Sequence, residues 1–317
     1  MAADNLAIVK AGARPGESWK DAHERLVAKE KRLELKQGAS APPGTFILAN
    51  HKHAYDVRAL MDLSLFRLSK KNKQGWESLC IELPGGDATL NSGSEGMLTA
   101  WDYDLVILVV TYLVGSMNRY RKGAGPLPSR SFRVHVSDLL TFSHRPRGGD
   151  QKNKLKDVCR RINNTTIDLR RVRRKHLKQP LSVFEIVEPI ERCLIEKSLS
   201  GAVETILITI SNCFYEKAHG NDLDVLTLDN SYFQISSSLA RFVYRLARLT
   251  AAKTSSKWSF EKLYKRSGSA SDDREFNRML RNLIRRDDLP QYFLREEKGV
   301  NGQPILFMSN RTATSCG

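Results

Sequence analysis

Residues 258–311 constrain the fold most, because several local signals in this stretch agree on one order of elements. Ser259 is suited to cap a helix, and Gly268 stands where a helix end favours a residue that tolerates positive φ. A short first helix is therefore predicted over residues 260–266. Ser271 or Asp272 can cap a second helix directly after it.

The second helix is amphipathic. Its apolar residues recur at helical spacing, namely Phe276, Met279, Leu280, Leu283 and Ile284. Its opposite face carries Arg274, Asn277, Arg278, Arg281, Arg285 and Arg286. Arginine and asparagine pair bidentately with the edges of guanine and adenine, so this face is a candidate DNA-reading surface. The alternative is a solvated helix face, which is what most charged faces are.

Two strand-like runs follow the second helix, at residues 292–295 and 305–308. The connection between them, residues 298–302, contains two glycines, which suits a hairpin. Helix, turn, helix and hairpin together predict a winged helix-turn-helix.

Charge points to a polyanionic partner. The 317 residues include 51 Lys+Arg against 35 Asp+Glu, a formal charge of +16 with a pI near 9.7. Such a field favours nucleic acid. An acidic membrane would also attract it, but no convincing basic amphipathic terminal segment is present.

The chain lacks the signals of export or membrane insertion. Met1 is followed by Asp4 rather than by basic residues and an apolar core, and the longest apolar run, from Leu105 to Val114, is about half of what spans a bilayer. Five scattered cysteines have no metal-ligand spacing and are expected to be reduced. We expect a cytoplasmic protein without a cofactor.

Three segments are expected. Residues 1–55 form a flexible or helical N-terminal extension, residues 56–220 a first winged-helix domain, and residues 221–311 a second one.

The His51-Lys52-His53 triplet is weak support for a nicking initiator, because lysine replaces the hydrophobic middle residue of the metal-binding pair. No phosphate loop occurs. We therefore predict no catalytic residue and no metal site.

The segment 56–220 contains the elements of a globular domain. Strands are predicted at residues 79–83, 98–101, 132–136, 165–172, 181–190 and 205–211, and helices at 103–118, 137–142 and 150–163. Asp102 is expected to cap the first of these helices, which is apolar nearly all round and should be buried.

Basic residues concentrate in the middle of the chain. From Arg145 to Lys178 there are 13 basic and 3 acidic residues in 34 positions. The candidate DNA contacts here are Lys152, Lys156, Arg160 and Arg161 on the helix at 150–163, followed by Arg170, Arg171, Arg173, Arg174 and Lys175. The second group is expected to occupy the position of a wing.

The same order of elements returns in the second half. Strands are predicted at residues 225–228 and 232–235, and Ser236 to Ser238 cap a helix with Leu239, Phe242 and Val243 on one face. The order of long helix, short helix, basic helix and hairpin therefore appears twice, about 130 residues apart. We therefore expect an α+β fold with two tandem winged-helix domains.

The chain resembles the replication initiator protein A family of bacterial plasmids over roughly residues 60–297. The resemblance rests on residues 66–70 (FRLSK), 96–104 (GMLTAWDYD), 228–233 (LDNSYF), 240–248 (ARFVYRLAR), 258–260 (WSF) and 264–269 (YKRSGS). It implies a non-enzymatic initiator that binds repeated sites in origin DNA and helps to load host replication proteins. More broadly the chain is similar to iteron-binding initiators with two winged helices, which often act as dimers at their own promoter.

The expected partners are therefore double-stranded DNA, host proteins such as a helicase or initiator, and a second copy of the chain, with no membrane. The first alternative function is a winged-helix transcriptional repressor without a role in opening an origin, and the second is a nicking enzyme. The site residues come from helical faces of this sequence and not from known base contacts of the family.

Overall fold

The computed structural model describes residues 17–18, 20–22, 24–26, 28–29, 32–33, 42–61, 63–64, 66–68, 78–83, 86–146, 149–173, 181–186, 188–197 and 203–312. Side chains are not described at residues 82–83, 149–153, 169, 171–173, 181–186 and 203, although the backbone is.

The first half of the chain mixes strands and helices. In order they are β1 (Gly44–Thr45), β2 (Ala54–Val57), β3 (Ser78–Leu83), β4 (Gly86–Asn91), α1 (Tyr103–Arg121), β5 (Ser131–His135), α2 (Val136–Phe142), α3 (Gly149–Asn163), β6 (Thr166–Arg173), β7 (Leu181–Ile186), β8 (Ile190–Lys197), β9 (Val203–Ile210) and α4 (Asn212–His219). Short 3-10 turns lie at Leu48–Asn50 and Arg58–Leu60.

The second half has fewer elements. They are β10 (Val225–Leu228), a 3-10 helix at Asn230–Gln234, α5 (Ser238–Thr250), β11 (Ser255–Ser259), α6 (Phe260–Ser267), α7 (Asp273–Arg286), β12 (Tyr292–Lys298) and β13 (Pro304–Asn310). The α+β class expected from the sequence is confirmed.

One order of elements occurs twice. In the second half, α5, β11, α6, α7, β12 and β13 follow one another, and β13 lies between β11 and β12 in a three-stranded sheet. In the first half, α1, β5, α2, α3, β8 and β9 have the same order, and β9 lies between β5 and β8. The strand β1 adds to the far side of β5 in parallel. The two halves therefore share one plan.

An inserted hairpin interrupts the first copy of this plan. The strands β6 and β7 fall between α3 and β8, and they belong to a separate antiparallel sheet with the order β3-β4-β6-β7. The dense basic segment was expected at the position of a wing. Of the residues expected there, Arg170, Arg171 and Arg173 lie on β6 of this inserted hairpin instead, because β8 and β9 form the strand pair that corresponds to β12 and β13. Arg174 and Lys175 lie outside the described residues.

The single strand predicted over residues 181–190 is wrong. It is divided into β7, which ends at Ile186, and β8, which begins at Ile190 and pairs with β9. Pro189 lies at the break and has no N–H to donate, so it interrupts a strand ladder.

Two further strand predictions are wrong. Residues 98–101 form a turn with one isolated bridge at Thr99, because the Asp102 carboxylate accepts a hydrogen bond from the Thr99 N–H at 2.7 Å. Residues 232–235 lie at the end of the 3-10 helix, whose N-terminus Asp229 caps by accepting from the Ser231 N–H at 2.9 Å.

Asp102 also differs from its predicted role. It precedes α1 without capping it through the side chain, and the helix continues to Arg121 rather than ending near Asn118. The burial predicted for this helix is confirmed, with Leu105, Val109 and Leu113 almost fully enclosed.

The predictions for α6 and α7 are confirmed. Ser259 accepts a hydrogen bond from the Lys262 N–H, and Gly268 ends α6 with φ of 57°. Asp272, rather than Ser271, caps α7 by accepting from the Glu275 N–H at 2.8 Å. The residues Phe276, Leu280 and Leu283 of α7 are buried. The hairpin of β12 and β13 is longer than predicted.

The two halves share one hydrophobic core and one small sheet. The strand β10 pairs with β2 in antiparallel register, from Val225 opposite Val57 to Leu228 opposite Ala54. The predicted boundary after residue 55 falls inside β2, and that after residue 220 precedes β10. The division into the segments 1–55, 56–220 and 221–311 stays a prediction.

Two arginines of α5 join the halves through buried ion pairs. Arg245 Nε donates to Asp56 Oδ2 at 2.7 Å, and Arg241 Nη1 donates to Asp104 Oδ1 at 2.6 Å. All four side chains are at most 1 % exposed. Both guanidinium groups make further hydrogen bonds. Arg245 donates to the carbonyl oxygens of Leu60 and Leu63 and to the Tyr103 hydroxyl. Arg241 donates to the carbonyl oxygens of Ala100, Phe233 and Ile235.

We expect Asp56→Ala to lower the free energy of unfolding by about 3–5 kcal/mol, because it leaves Arg245 buried without its counter-ion. Denaturation with urea measures this change. Asp224→Ala is the matched control, since Asp224 pairs with Arg58 at an exposed site and exposed pairs contribute little. Equal small effects of the two substitutions would contradict the assigned role of Asp56.

A second contact between the halves involves the turn after α6. A Cβ built on Gly268 would overlap Leu79 Cδ2 on β3. The strand β3 therefore packs directly against the turn between α6 and α7, and a Cβ at residue 268 would force the Leu79 side chain to move.

We expect Gly268→Ala to destabilise the protein more than Gly302→Ala. Both glycines have positive φ, which costs an alanine about 1–2 kcal/mol, but a Cβ on Gly302 meets open space. The overlap with Leu79 should add about 1–3 kcal/mol. Adding Leu79→Ala to Gly268→Ala should recover part of that difference in urea denaturation, whereas strict additivity would show that the two residues do not touch.

Candidate nucleic-acid interface

The exposed side of α7 carries a stripe of four arginines. Arg274, Arg278, Arg281 and Arg285 recur at i, i+4, i+7 and i+11, and all four are exposed. Their alignment follows from the helical period, since the apolar residues of α7 face the core on the opposite side. The stripe is long enough to follow the edge of a DNA groove.

Three of these arginines have partners inside the protein. Arg278 forms two hydrogen bonds of 2.7 Å with Glu275, which lower the pKa of that carboxyl. Arg281 Nη2 lies 3.0 Å from Glu296 Oε1 on β12, and Arg285 bonds the side chain of Asn282. Such exposed pairs are weak enough to exchange for a ligand.

The remaining polar residues of α7 differ in availability. Arg274 makes no hydrogen bond or ion pair with any residue that the structure describes. Asn277 donates to Asp273 Oδ2 at 3.1 Å, and its own Oδ1 is buried without a partner. Arg274 is therefore the residue of the stripe that can meet a ligand without first losing a contact.

The hairpin beside α7 has mixed charge. Arg295 of this hairpin and Lys257 of β11 both pair with Glu297, and Lys298 ends β12 before the turn. Val300 at the tip is fully exposed. This hairpin is therefore less basic than the face of α7 beside it.

The helix α3 holds the corresponding position in the first half. Leu155, Val158 and Ile162 face the core, while Lys156 and Arg160 are exposed. Arg160 Nη1 lies 3.7 Å from Asp157 Oδ1. The side chain of Lys152 lies outside the described part of the structure. Lys156 and Arg160 are thus placed as the sequence predicts.

Arg161 differs from its neighbours. Its guanidinium forms two hydrogen bonds with the buried carboxylate of Asp102, at 2.7 and 3.1 Å. The same helix approaches β8, where Cys159 Sγ lies 2.8 Å from Cys193 Sγ. Arg161 therefore anchors α3 to the start of α1, a partnership that its place in the sequence does not reveal.

The basic hairpin of β6 and β7 is only partly described. Arg170 is exposed, with Nη1 at 3.8 Å from Asp87 Oδ2 on the neighbouring strand. Arg171 and Arg173 lie on β6, but their side chains lie outside the description, as do Arg174 and Lys175 entirely. Register places Arg173 opposite Leu181 at the last described pair of these two strands.

The two histidines of the His51-Lys52-His53 triplet show no metal-site geometry. The ring of His51 stacks on Phe46 at 4.7 Å, and burial, aided by the charge of Arg119, lowers the pKa of His51 to about 4. Among the residues described, no group of histidine, cysteine or acidic side chains could hold a metal ion. Within the same residues, no helix combines the length and apolar character needed to cross a bilayer.

The fold matches solved structures of another protein at low sequence identity. A crystal structure of domains 2 and 3 of RctB superposes with a TM-score of 0.55 and 12 % identity, covering 80 % of this chain and 98 % of that one. A second structure of these domains superposes with a TM-score of 0.51 and 13 % identity, covering 79 % of this chain and 96 % of that one.

The sequence itself matches the model of the family described as replication initiator protein A over residues 55–294. The chain belongs to this family. It is also 25 % identical over 203 residues to a protein of Wigglesworthia glossinidia brevipalpis provisionally described as a replication protein, covering 64 % of this chain and 71 % of that one.

We expect Arg274→Ala to weaken binding to a specific DNA site by about 1–3 kcal/mol and to relax preference at one base position. Arg286→Ala is the matched control, because it removes the same charge from the same helix but lies off the stripe and pairs with Asp288. Selection from a random DNA library measures the preference. Identical profiles for the two variants would exclude Arg274 from base reading.

Proposed function

We propose that this protein is a plasmid replication initiator that binds repeated origin DNA sequence-specifically, helps to open the origin and recruits host replication proteins. The observation that carries the proposal is the repeat. Each half of the chain presents its third helix, α3 or α7, with exposed cations on the side away from the core. Membership of the family supports the role in replication.

Both halves are winged-helix units under this proposal. The pairs β8–β9 and β12–β13 act as the wings, and α3 and α7 act as recognition helices that enter neighbouring major grooves. The inserted hairpin of β6 and β7 holds phosphate groups, which position the protein without reading sequence. A protein bound in this way distorts adjacent duplex, so that helicase can enter.

The protein acts through binding energy and has no catalytic residue in this proposal. A second copy of the chain fits the same role, because repeated sites bring several copies together. A winged-helix repressor would bind DNA in the same way, so affinity alone does not separate the two functions.

Origin transplantation tests the proposal. The gene supplied in trans should sustain a plasmid that carries the DNA flanking it as its only origin, and a footprint on that DNA should show repeated protected sites. A repressor would give the footprint without maintenance of the plasmid. Relaxation of supercoiled origin DNA with a divalent metal would instead reveal a nicking enzyme.

We expect neutralisation of Arg173, Arg174 and Lys175 together to weaken binding to all DNA sequences alike. Each lost phosphate contact should reduce the slope of log affinity against log salt by about 0.9. The matched control neutralises Lys20, Lys122 and Lys217, which lie outside every proposed contact. A slope that is unchanged in the first triple variant would assign the basic hairpin a role other than DNA binding.

A further inference from the structure

A cleft of about 820 Å³ lies between the two halves of the chain. Its walls come from the segment before β2, the start of the 3-10 helix at Asn230–Gln234, the end of α5, and the outer ends of β12 and β13. The volume falls in the range of sites that enclose small ligands. The proposed DNA interface does not use any of these residues.

Three cations from different elements converge on the cleft. They are Lys52 before β2, Arg248 in the last turn of α5, and Lys253 after α5. Lys52 and Lys253 are exposed and form no ion pair within the described residues, while Arg248 is fixed by hydrogen bonds of 2.8 and 2.9 Å to the carbonyl and hydroxyl oxygens of Thr227. The opposing charge is Asp229, whose carboxylate is engaged by Ser231.

The walls are held in place without using the lysines. Gln291 accepts from the Tyr244 hydroxyl at 2.8 Å, and the Ala252 carbonyl accepts from Asn310 Nδ2 at 2.9 Å and from the Tyr292 hydroxyl at 3.2 Å. Ala252 and Gln291 have positive φ, 47° and 62°. Such backbone strain in residues other than glycine persists only where the surroundings enforce it, and it concentrates at ligand sites.

The cleft lies away from the proposed DNA-binding end of the second half. Tyr292 and Asn310, which line it, are paired at one end of the β12–β13 hairpin, whereas Lys298 and Pro304 are paired at the turn. Six residues of extended strand separate these ends, which is about 20 Å. A ligand in the cleft can therefore bind without occupying the tip of the hairpin.

We propose that this cleft binds a multiply phosphorylated small molecule of nucleotide size. Lys52 and Lys253 meet its phosphate oxygens, and the guanidinium of Arg248, fixed by Thr227, supplies a third and rigid positive charge. Because residues of both halves line the cleft, the ligand also bridges them. The proposal does not depend on the proposed function in replication.

Isothermal calorimetry of the full chain with ATP, GTP and inorganic pyrophosphate tests the proposal. We expect the wild-type protein to bind at least one of these, and Lys52→Ala with Lys253→Ala to weaken that binding roughly tenfold or more, the loss typical of charge-assisted contacts. Lys20→Ala with Lys122→Ala is the matched control, since it removes the same charge from exposed sites outside the cleft. Circular dichroism verifies that both double variants are folded.

Three outcomes would overturn the proposal. The wild-type chain could bind none of the three probes, or the control variant could lose binding as much as the cleft variant does. Binding of a single-stranded oligonucleotide that depends on Lys52 and Lys253, without binding of the free nucleotides, would make the cleft a contact for a DNA backbone instead.

Discussion

The arrangement of the whole molecule depends on the two buried arginines of α5. A guanidinium in an apolar core is tolerated only when its charge is paired and its donors are hydrogen-bonded, and Arg241 and Arg245 find their carboxylate partners in the other half of the chain. At the pair of Arg241 with Asp104, the cost of desolvation exceeds the gain from pairing. Burial raises the pKa of Asp104 to about 6, although the charges of Arg241 and Arg145 lower it. We infer that these pairs fix the relative placement of the halves more than they add net stability.

The same region also positions both basic helices. At the start of α1, Asp102 holds α3 through Arg161, and Asp104 holds α5 through Arg241. The helix α7 is packed on α5 and α6 in turn. The two candidate recognition helices are therefore anchored to acidic groups two residues apart, and the spacing between these helices is set within the folded protein. Under the proposed function, this preorganisation favours target sites at one fixed separation.

Local signals in the sequence predict a helix correctly where residues within that helix or directly beside it determine its ends. The caps Ser259 and Asp272, the positive φ of Gly268 and the apolar period of α7 all act within a few residues, and these elements were predicted closely. The sequence does not predict the elements and contacts that depend on residues far away in the chain. The strands β8 and β11 have mixed polar patterns and exist because β9 and β13 pair with them, while Arg161 and Asp102 are 59 positions apart. Arg241 and Arg245 lie four residues apart on α5, within the predominantly apolar run from Leu239 to Ala247, a signal that could have revealed the buried pairs.

The carboxylates beside the arginine stripe bear on how α7 would discriminate among DNA sequences. Arg278 and Arg281 are held by Glu275 and Glu296, so any DNA must first displace a carboxylate that binds the same donors. Glu296 and Glu297 also place negative charge on β12, close to where a phosphate backbone would pass in the proposed mode. Both effects weaken contacts with phosphate that carry no sequence information. Base acceptors that match a freed guanidinium in two hydrogen bonds restore the lost contact, whereas a mismatched base leaves it unpaired. The acidic residues of this face would thus lower overall affinity and raise the ratio of specific to non-specific binding, which is the quantity that selects an origin among many competing sites.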